Sequence, residues 1–251
     1  MKSPKEQNKK YNFTMNKLHK ELLNLIIEEN KKNPFTSKHN TNYEGHCDKS
    51  YRLSNPQLRR ITKAWLEKHA NLNFNNFIQL LNSLYKSGNS FTEKYIAGFI
   101  IEYSSKLRKS IEPKLLDNWL NRLTGWAQVD SLCQSRFDSQ DLLLNWYKWN
   151  NLLGNLNKSK NINKRRASLV LLTKPVRDSN RKEFAGIAIQ NIENIKQEKN
   201  ILITKAISWL LREMIKNHRN LIKNYLTEKG NSLPAIAVKE TRLKLKTGRK
   251  Q

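Results

Sequence analysis

The sequence predicts an all-α chain: a curved, right-handed solenoid of antiparallel helix pairs spanning residues 1–251. Apolar residues recur at helical spacing along most of the chain, and no stretch keeps the apolar–polar alternation of a half-buried strand. The apolar segments come in pairs joined by short polar loops, with pairs repeating every roughly 40 residues. Helix pairs of that spacing stack side by side into an extended concave surface.

The elements follow in order. Leu18, Leu22, Leu23, Ile26 and Ile27 mark the first helix, after an arm at 1–14 that is expected to be flexible. Residues 31–50 are polar, contain Pro34 and Gly45, and read as a loop. Ser54-Asn55-Pro56 supplies an N-cap with proline at the first helical position, and that helix runs through Leu58, Ile61, Ala64 and Trp65. Phe74, Phe77, Ile78, Leu81 and Leu84 form the next, stopped near Gly88; Tyr95, Ile96, Phe99, Ile100 and Tyr103 form another. Ser110 is expected to cap a helix carrying Leu115, Leu116, Trp119 and Leu120. The Trp126–Asp130 segment comes next, then one Trp- and Leu-rich helix over 142–153. After a polar linker at 155–163, Lys164 opens a helix that Pro175 should stop. Helices at 184–195 and 201–216 follow, the second apolar nearly all round, as a central buried helix is. Leu221 to Leu226 close the core, and 239–251 is a basic run whose last residues, 246–251, form a tail. The whole reads as a single domain of HEAT-like repeats.

Composition narrows the function. Lys plus Arg number 47 against 21 Asp plus Glu, a net charge of +26. Such an excess calls for a polyanionic partner, with nucleic acid ahead of an acidic membrane surface. Cys47 and Cys133 are the two cysteines, too few for a disulfide framework or a CxxC metal site. Met1 to Lys10 lack the apolar core of a secretory signal, and no run is long enough to span a membrane. A cytoplasmic monomer is expected. His46-Cys47-Asp48 has no companion at ligand spacing, and no Gly-rich phosphate loop, G-x-S-x-G or H-E-x-x-H occurs. Neither a metal nor an organic cofactor is expected.

Four constellations carry possible chemistry. Trp126 and Asp130 lie four residues apart, neighbours on one helical face. They form either an aromatic–carboxylate pair for a cationic ligand or a core tryptophan beside an aspartate that caps the next helix. Trp209, Arg212 and Glu213 share a face: a second aromatic wall with an arginine for phosphate, or packing with Arg212 paired to an acid. Lys164-Arg165-Arg166 is a phosphate clamp at a helix start or a solvated basic turn. Arg59, Arg60 and Lys63, with the basic tail, suit non-specific backbone contacts.

Taken in order, these segments resemble the AlkD-like family of DNA alkylation-repair glycosylases, over about residues 43–245. The resemblance rests on Tyr43 with Tyr51-Arg52-Leu53-Ser54-Asn55-Pro56, on Gly125-Trp126-Ala127-Gln128-Val129-Asp130 and on Asn161-Ile162-Asn163-Lys164-Arg165-Arg166. Lys205-Ala206-Ile207-Ser208-Trp209-Leu210-Leu211-Arg212-Glu213 and the stretch from Leu233-Pro234 to Glu240-Thr241 complete it. Asn163 stands where the family often has an aromatic. The resemblance implies that Trp126, Trp209 and Asp130 face a lesion across a concave cleft. It further implies that Arg166, or in the alternative register Arg165, grips the DNA backbone, with Tyr43 and Arg212 among the DNA contacts. The implied activity is excision of purines made cationic by alkylation at N3 or N7, from duplex DNA and without a base-flipping pocket.

Overall fold

The computed structural model describes residues 15–35 and 49–249. Tyr43, the arm at 1–14 and the final two residues lie outside the described residues, as do His46 and Cys47. Thirteen α-helices are described: α1 Lys17–Lys32, α2 Asn55–Lys68, α3 Phe74–Ser87, α4 Phe91–Tyr103, α5 Ser105–Lys109, α6 Lys114–Leu120, α7 Gly125–Cys133, α8 Ser139–Leu143, α9 Trp146–Asn157, α10 Ile162–Asp178, α11 Lys182–Ile195, α12 Ile201–Lys229 and α13 Ala235–Thr247. A 3₁₀ turn at Gly230–Ser232 joins the last two. Among the described residues, the β pairing is an isolated bridge between Lys49 and Ser90.

Local chemistry starts these helices. The side chains of Asn16, Asn73, Ser90, Asp138, Asn161 and Asn200 each accept a backbone N–H from the first turn that follows. Ser54 and Gln57 complete a reciprocal capping box at α2, with Pro56 in the first turn.

The helices form two layers. In one, α2, α4, α7, α10, α12 and α13 pack each against the next; behind it, α1, α3, α6, α9 and α11 do the same. One apolar core runs between them from Leu22 to Ala237. This is the solenoid-like all-α stack that the periodicity predicts. Cross-links between successive turns of the stack set its step. Ser131 Oγ donates to the Tyr95 carbonyl, Gln134 Nε2 to that of Val170 and Arg166 Nη1 to that of Leu202, each across 36 residues. None of the described helices is long and apolar enough to cross a membrane.

Several boundaries differ from those the sequence suggests. The helix expected over 142–153 is two, α8 and α9, because Asn145 leaves helical geometry at φ −151°, ψ 58°. Ser110 ends α5 and does not cap α6, whose N-cap position is Pro113 and carries no side-chain cap. Pro175 does not stop α10: a proline forfeits one helical hydrogen bond, and outside ties hold the helix on either side of it. Gln134 Nε2 donates to Thr173 Oγ1 at 2.9 Å, and Asn217 Nδ2 to the Arg177 carbonyl at 2.6 Å. The segments at 201–216 and 221–226 join into α12, interrupted where His218 adopts φ −128°, ψ 36°. The start of the expected tail, Lys246 and Thr247, belongs to α13.

A buried polar network fastens the N-terminal end. His19 on α1, fully buried, bonds Ser83 on α3 through Nδ1 at 2.8 Å and Glu93 on α4 through Nε2 at 2.9 Å. The Ser90 hydroxyl donates to the other Glu93 oxygen. Burial alone would push the Glu93 carboxyl up; hydrogen bonds from His19 and Ser90 outweigh it and hold the group below its ordinary value. A depressed carboxylate contributes stability above the unfolded-state pKa of about 4.3 and loses it as pH falls through the folded value. His19→Ala strips Glu93 of this partner and should cost about 3–5 kcal/mol at neutral pH. Urea unfolding checks it, and the gap to wild type should narrow in acid.

Candidate active site

The site grows from the α4–α7 contact. Gly98 on α4 lets α7 approach: a Cβ there would lie 2.3 Å from Ser131 Oγ and 2.5 Å from the Ser131 carbonyl oxygen. α7 begins abruptly. Thr124 is extended, Gly125 takes a left-handed φ of 72°, which glycine adopts without steric cost, and Trp126 follows at once. Gln128 Oε1 accepts the Thr124 N–H at 2.9 Å, closing the turn.

Trp126 is half-buried and lines a cleft of about 380 Å³ with Tyr51, Pro56, Phe91 and Tyr95. One turn on, Asp130 meets Arg166 of α10 in a two-pronged ion pair, Nε to Oδ1 at 2.8 Å and Nη2 to Oδ2 at 2.7 Å. The third guanidinium nitrogen donates to the Leu202 carbonyl at 2.6 Å, so α7, α10 and α12 meet at one arginine. The side chains are 14% and 7% exposed. Burial pushes the Asp130 carboxyl above its ordinary value, against the pull of the Arg166 guanidinium. Each carboxylate oxygen keeps a lone pair free of Arg166, since an ionised carboxylate accepts about four hydrogen bonds. Cys133 nearby is fully buried with its thiol pushed far up by burial, which makes it inert as a nucleophile.

The first turn of α10 is a junction. Asn163 Nδ2 donates to the Leu123 carbonyl at 2.9 Å, Lys164 pairs with Asp117 at 2.6 Å, and Arg165 grips Glu198 with two nitrogens at 2.7 and 2.9 Å. Arg165 also donates to the Ser159 and Lys160 carbonyls. The structure thus turns both candidate clamp arginines inward: Arg165 is committed to Glu198, and Arg166 to Asp130. Arg212 also departs from a phosphate role. It is 7% exposed and pairs with Glu240 and Ser208, because a buried guanidinium needs an acid to offset its desolvation. The aspartate does not cap the next helix either; Asp138 caps α8.

Trp209 is half-buried on α12, seven residues beyond Leu202. Two helical turns put it on the same face, about 10 Å further along. Arg59, Arg60 and Lys63 stay at the surface of α2. Arg59 pairs with Glu102 at 2.9 Å, Arg60 with Glu29 at 2.5 Å, and Lys63 Nζ lies 5.1 Å from the Tyr103 ring centre. Sequence reasoning missed Gly98 and Glu102. A glycine or a lone acid inside an otherwise apolar helical run is the signal each offered.

A stack of paired helices with an ion-paired carboxylate one turn from a cleft-lining tryptophan, on a chain of charge +26, suits a polyanionic partner. The model of the DNA alkylation repair enzyme family matches residues 27–245, and the chain belongs to that family. Its role is therefore in DNA repair. Among solved structures, a predicted DNA alkylation repair enzyme from Enterococcus faecalis shares the fold, with a TM-score of 0.67 at 18% identity over 80% of this chain and 90% of that one. A search of curated proteins finds no match.

Gly98→Ala should force α4 and α7 apart and cost about 1–3 kcal/mol, as overpacking does. Denaturant unfolding and the tryptophan near-UV signal together check that outcome.

Proposed function

We propose that the protein is a monofunctional DNA glycosylase. It excises purines made cationic by alkylation at N3 or N7 from duplex DNA, by hydrolysing the N-glycosidic bond. One observation carries this reading: a mostly buried carboxylate, Asp130, held in place by Arg166 one turn from Trp126, in a strongly basic chain.

The chemistry suits these groups. An alkylated purine already bears positive charge, so the C1′–N bond breaks with its electron pair passing to the base, which leaves neutral. No strong general acid is required, and the base needs no enclosed pocket. Positive charge moves to the sugar as an oxocarbenium-like centre, which Asp130 stabilises by its own charge. Water then bonds to C1′ and gives its proton to Asp130, which passes it to solvent. The elevated carboxyl pKa makes Asp130 a better base, and Arg166 keeps it ionised and oriented. Arg166 is thus a positioning residue. Trp126 and Trp209 face the cation with their π-surfaces, each worth about 0.5–2 kcal/mol. Arg59, Arg60 and Lys63 hold the duplex backbone, and the resemblance adds Tyr43 to the expected DNA contacts.

Wild-type protein incubated with methylated duplex DNA should release 7-methylguanine or 3-methyladenine above the spontaneous rate, read by chromatography. Asp130→Asn should lower excision about 100-fold or more while duplex affinity holds. Tight duplex binding with no release by wild type would make the protein a non-catalytic binder of damaged or structured DNA.

The pH profile offers a separate check. Activity should rise as pH passes upward through the Asp130 pKa. Arg166→Gln removes the charge that pulls this pKa down and leaves burial acting alone. The acid limb should therefore move to higher pH; an unmoved limb assigns it to another group.

A further inference from the structure

A second charged cluster sits beside the Trp126 cleft. Glu102, near the end of α4 and 11% exposed, holds two arginines, one on each oxygen. Arg59 of α2 donates from Nη1 to Oε2 at 2.9 Å, and Arg136, in the turn after α7, donates from Nε to Oε1 at 3.1 Å. Arg59 is further braced by the Tyr103 hydroxyl at 2.7 Å and by the Phe99 ring, 4.3 Å from its guanidinium carbon. Nε and Nη2 of Arg59 and both terminal nitrogens of Arg136 have no hydrogen-bond partner among the described residues. Lys63 lies alongside, in a cleft that Glu67 also lines.

Arg136 is also the one described non-glycine residue with positive φ, at 64°. A side chain in that region is strained where glycine or asparagine would sit at little cost. Its side chain is 62% exposed, so its single bond to Glu102 is screened and contributes little. Strain held without local return marks a residue kept for another task.

We propose that Arg59 and Arg136, set side by side by Glu102, clamp one backbone phosphate of the duplex. Among the described residues each keeps N–H groups without a partner, and two planar guanidiniums suit the non-bridging oxygens of a phosphodiester. Location supports this. The same helices α2, α4 and α7 line the Trp126 cleft, and Pro56 borders both that cleft and a second one lined by Arg59, Arg60, Lys63, Glu67 and Tyr103. Glu102 brings the two guanidiniums to one carboxylate, and Arg59, with its further contacts to Tyr103 and Phe99, is the more firmly held of the two. The clamp rests on the reading of duplex DNA as substrate, and its test is independent of base excision.

The test measures binding of a fluorescein-labelled, unmodified duplex by anisotropy across a salt series, with a thermal melt of each variant. Arg136→Gly removes the side chain and relieves the backbone. Its melting temperature should equal or exceed that of wild type, its affinity should fall roughly tenfold, and its log K–log salt slope should shrink by up to about 0.9, the value for one phosphate fully released. Arg59→Ala should weaken binding comparably, and the double variant should lose less than the product of the single losses, because both grip one phosphate. Wild-type affinity and slope retained in Arg136→Gly would overturn the clamp and leave the glycosylase reading intact. Independent, fully multiplicative losses would also overturn it, placing the arginines on separate phosphates. Absence of salt-dependent duplex binding by wild type would overturn both readings.

Discussion

The ion pair between Asp130 and Arg166 is the constraint around which the site is organised. An isolated carboxylate this deep would give up its charge. A guanidinium bonded to both oxygens offsets the desolvation and leaves the acid ionised. Arg166 must in turn be held, and the Leu202 carbonyl holds it. The relative placement of α7, α10 and α12 is therefore tied to one charged contact. The junction at the start of α10 follows from this need. Asn163, Lys164 and Arg165 each fasten a different neighbour, so that the fourth residue has no freedom to turn away from Asp130.

The same logic revises what the net charge means. Arg108 with Asp141, Arg165 with Glu198, Arg166 with Asp130 and Arg212 with Glu240 are internal pairs between helices or their loops. Four of the 21 acids are spent there. What remains unpaired is dominated by lysine, a compact charge suited to non-specific backbone attraction. Arginines with exposed guanidiniums, such as Arg59 and Arg136, are accordingly the more informative ones on this surface.

Helix content was legible because it rests on periodicity, and the α2 start because Ser54 and Gln57 form a local motif. Breaks were less so. Asn145 interrupts an unbroken apolar pattern, and Pro175 sits in a helix secured by Gln134 and Asn217 from elsewhere in the chain. The Trp126–Asp130 pair was visible as spacing on one helix. The fate of Arg165, Arg166 and Arg212 was not. An arginine at a helix start serves a phosphate and a carboxylate equally well, and the acids lie 33, 36 and 28 residues away. Arg136 carried no local signal, because a left-handed arginine looks like any other arginine in a short loop.

The 36-residue step of the stack has a further consequence. Tyr95 and Ser131, Asp130 and Arg166, and Arg166 and Leu202 are all one step apart. The site is thus a line of phase through consecutive repeats, read along the superhelix. Adding one residue inside α7 ahead of Asp130 would swing the carboxylate by about 100° around its helix and off that line. The same addition in the loop between α9 and α10 would leave every helical phase untouched. Length variation in such a protein is thereby channelled into its loops, and the inner helices keep their count of residues.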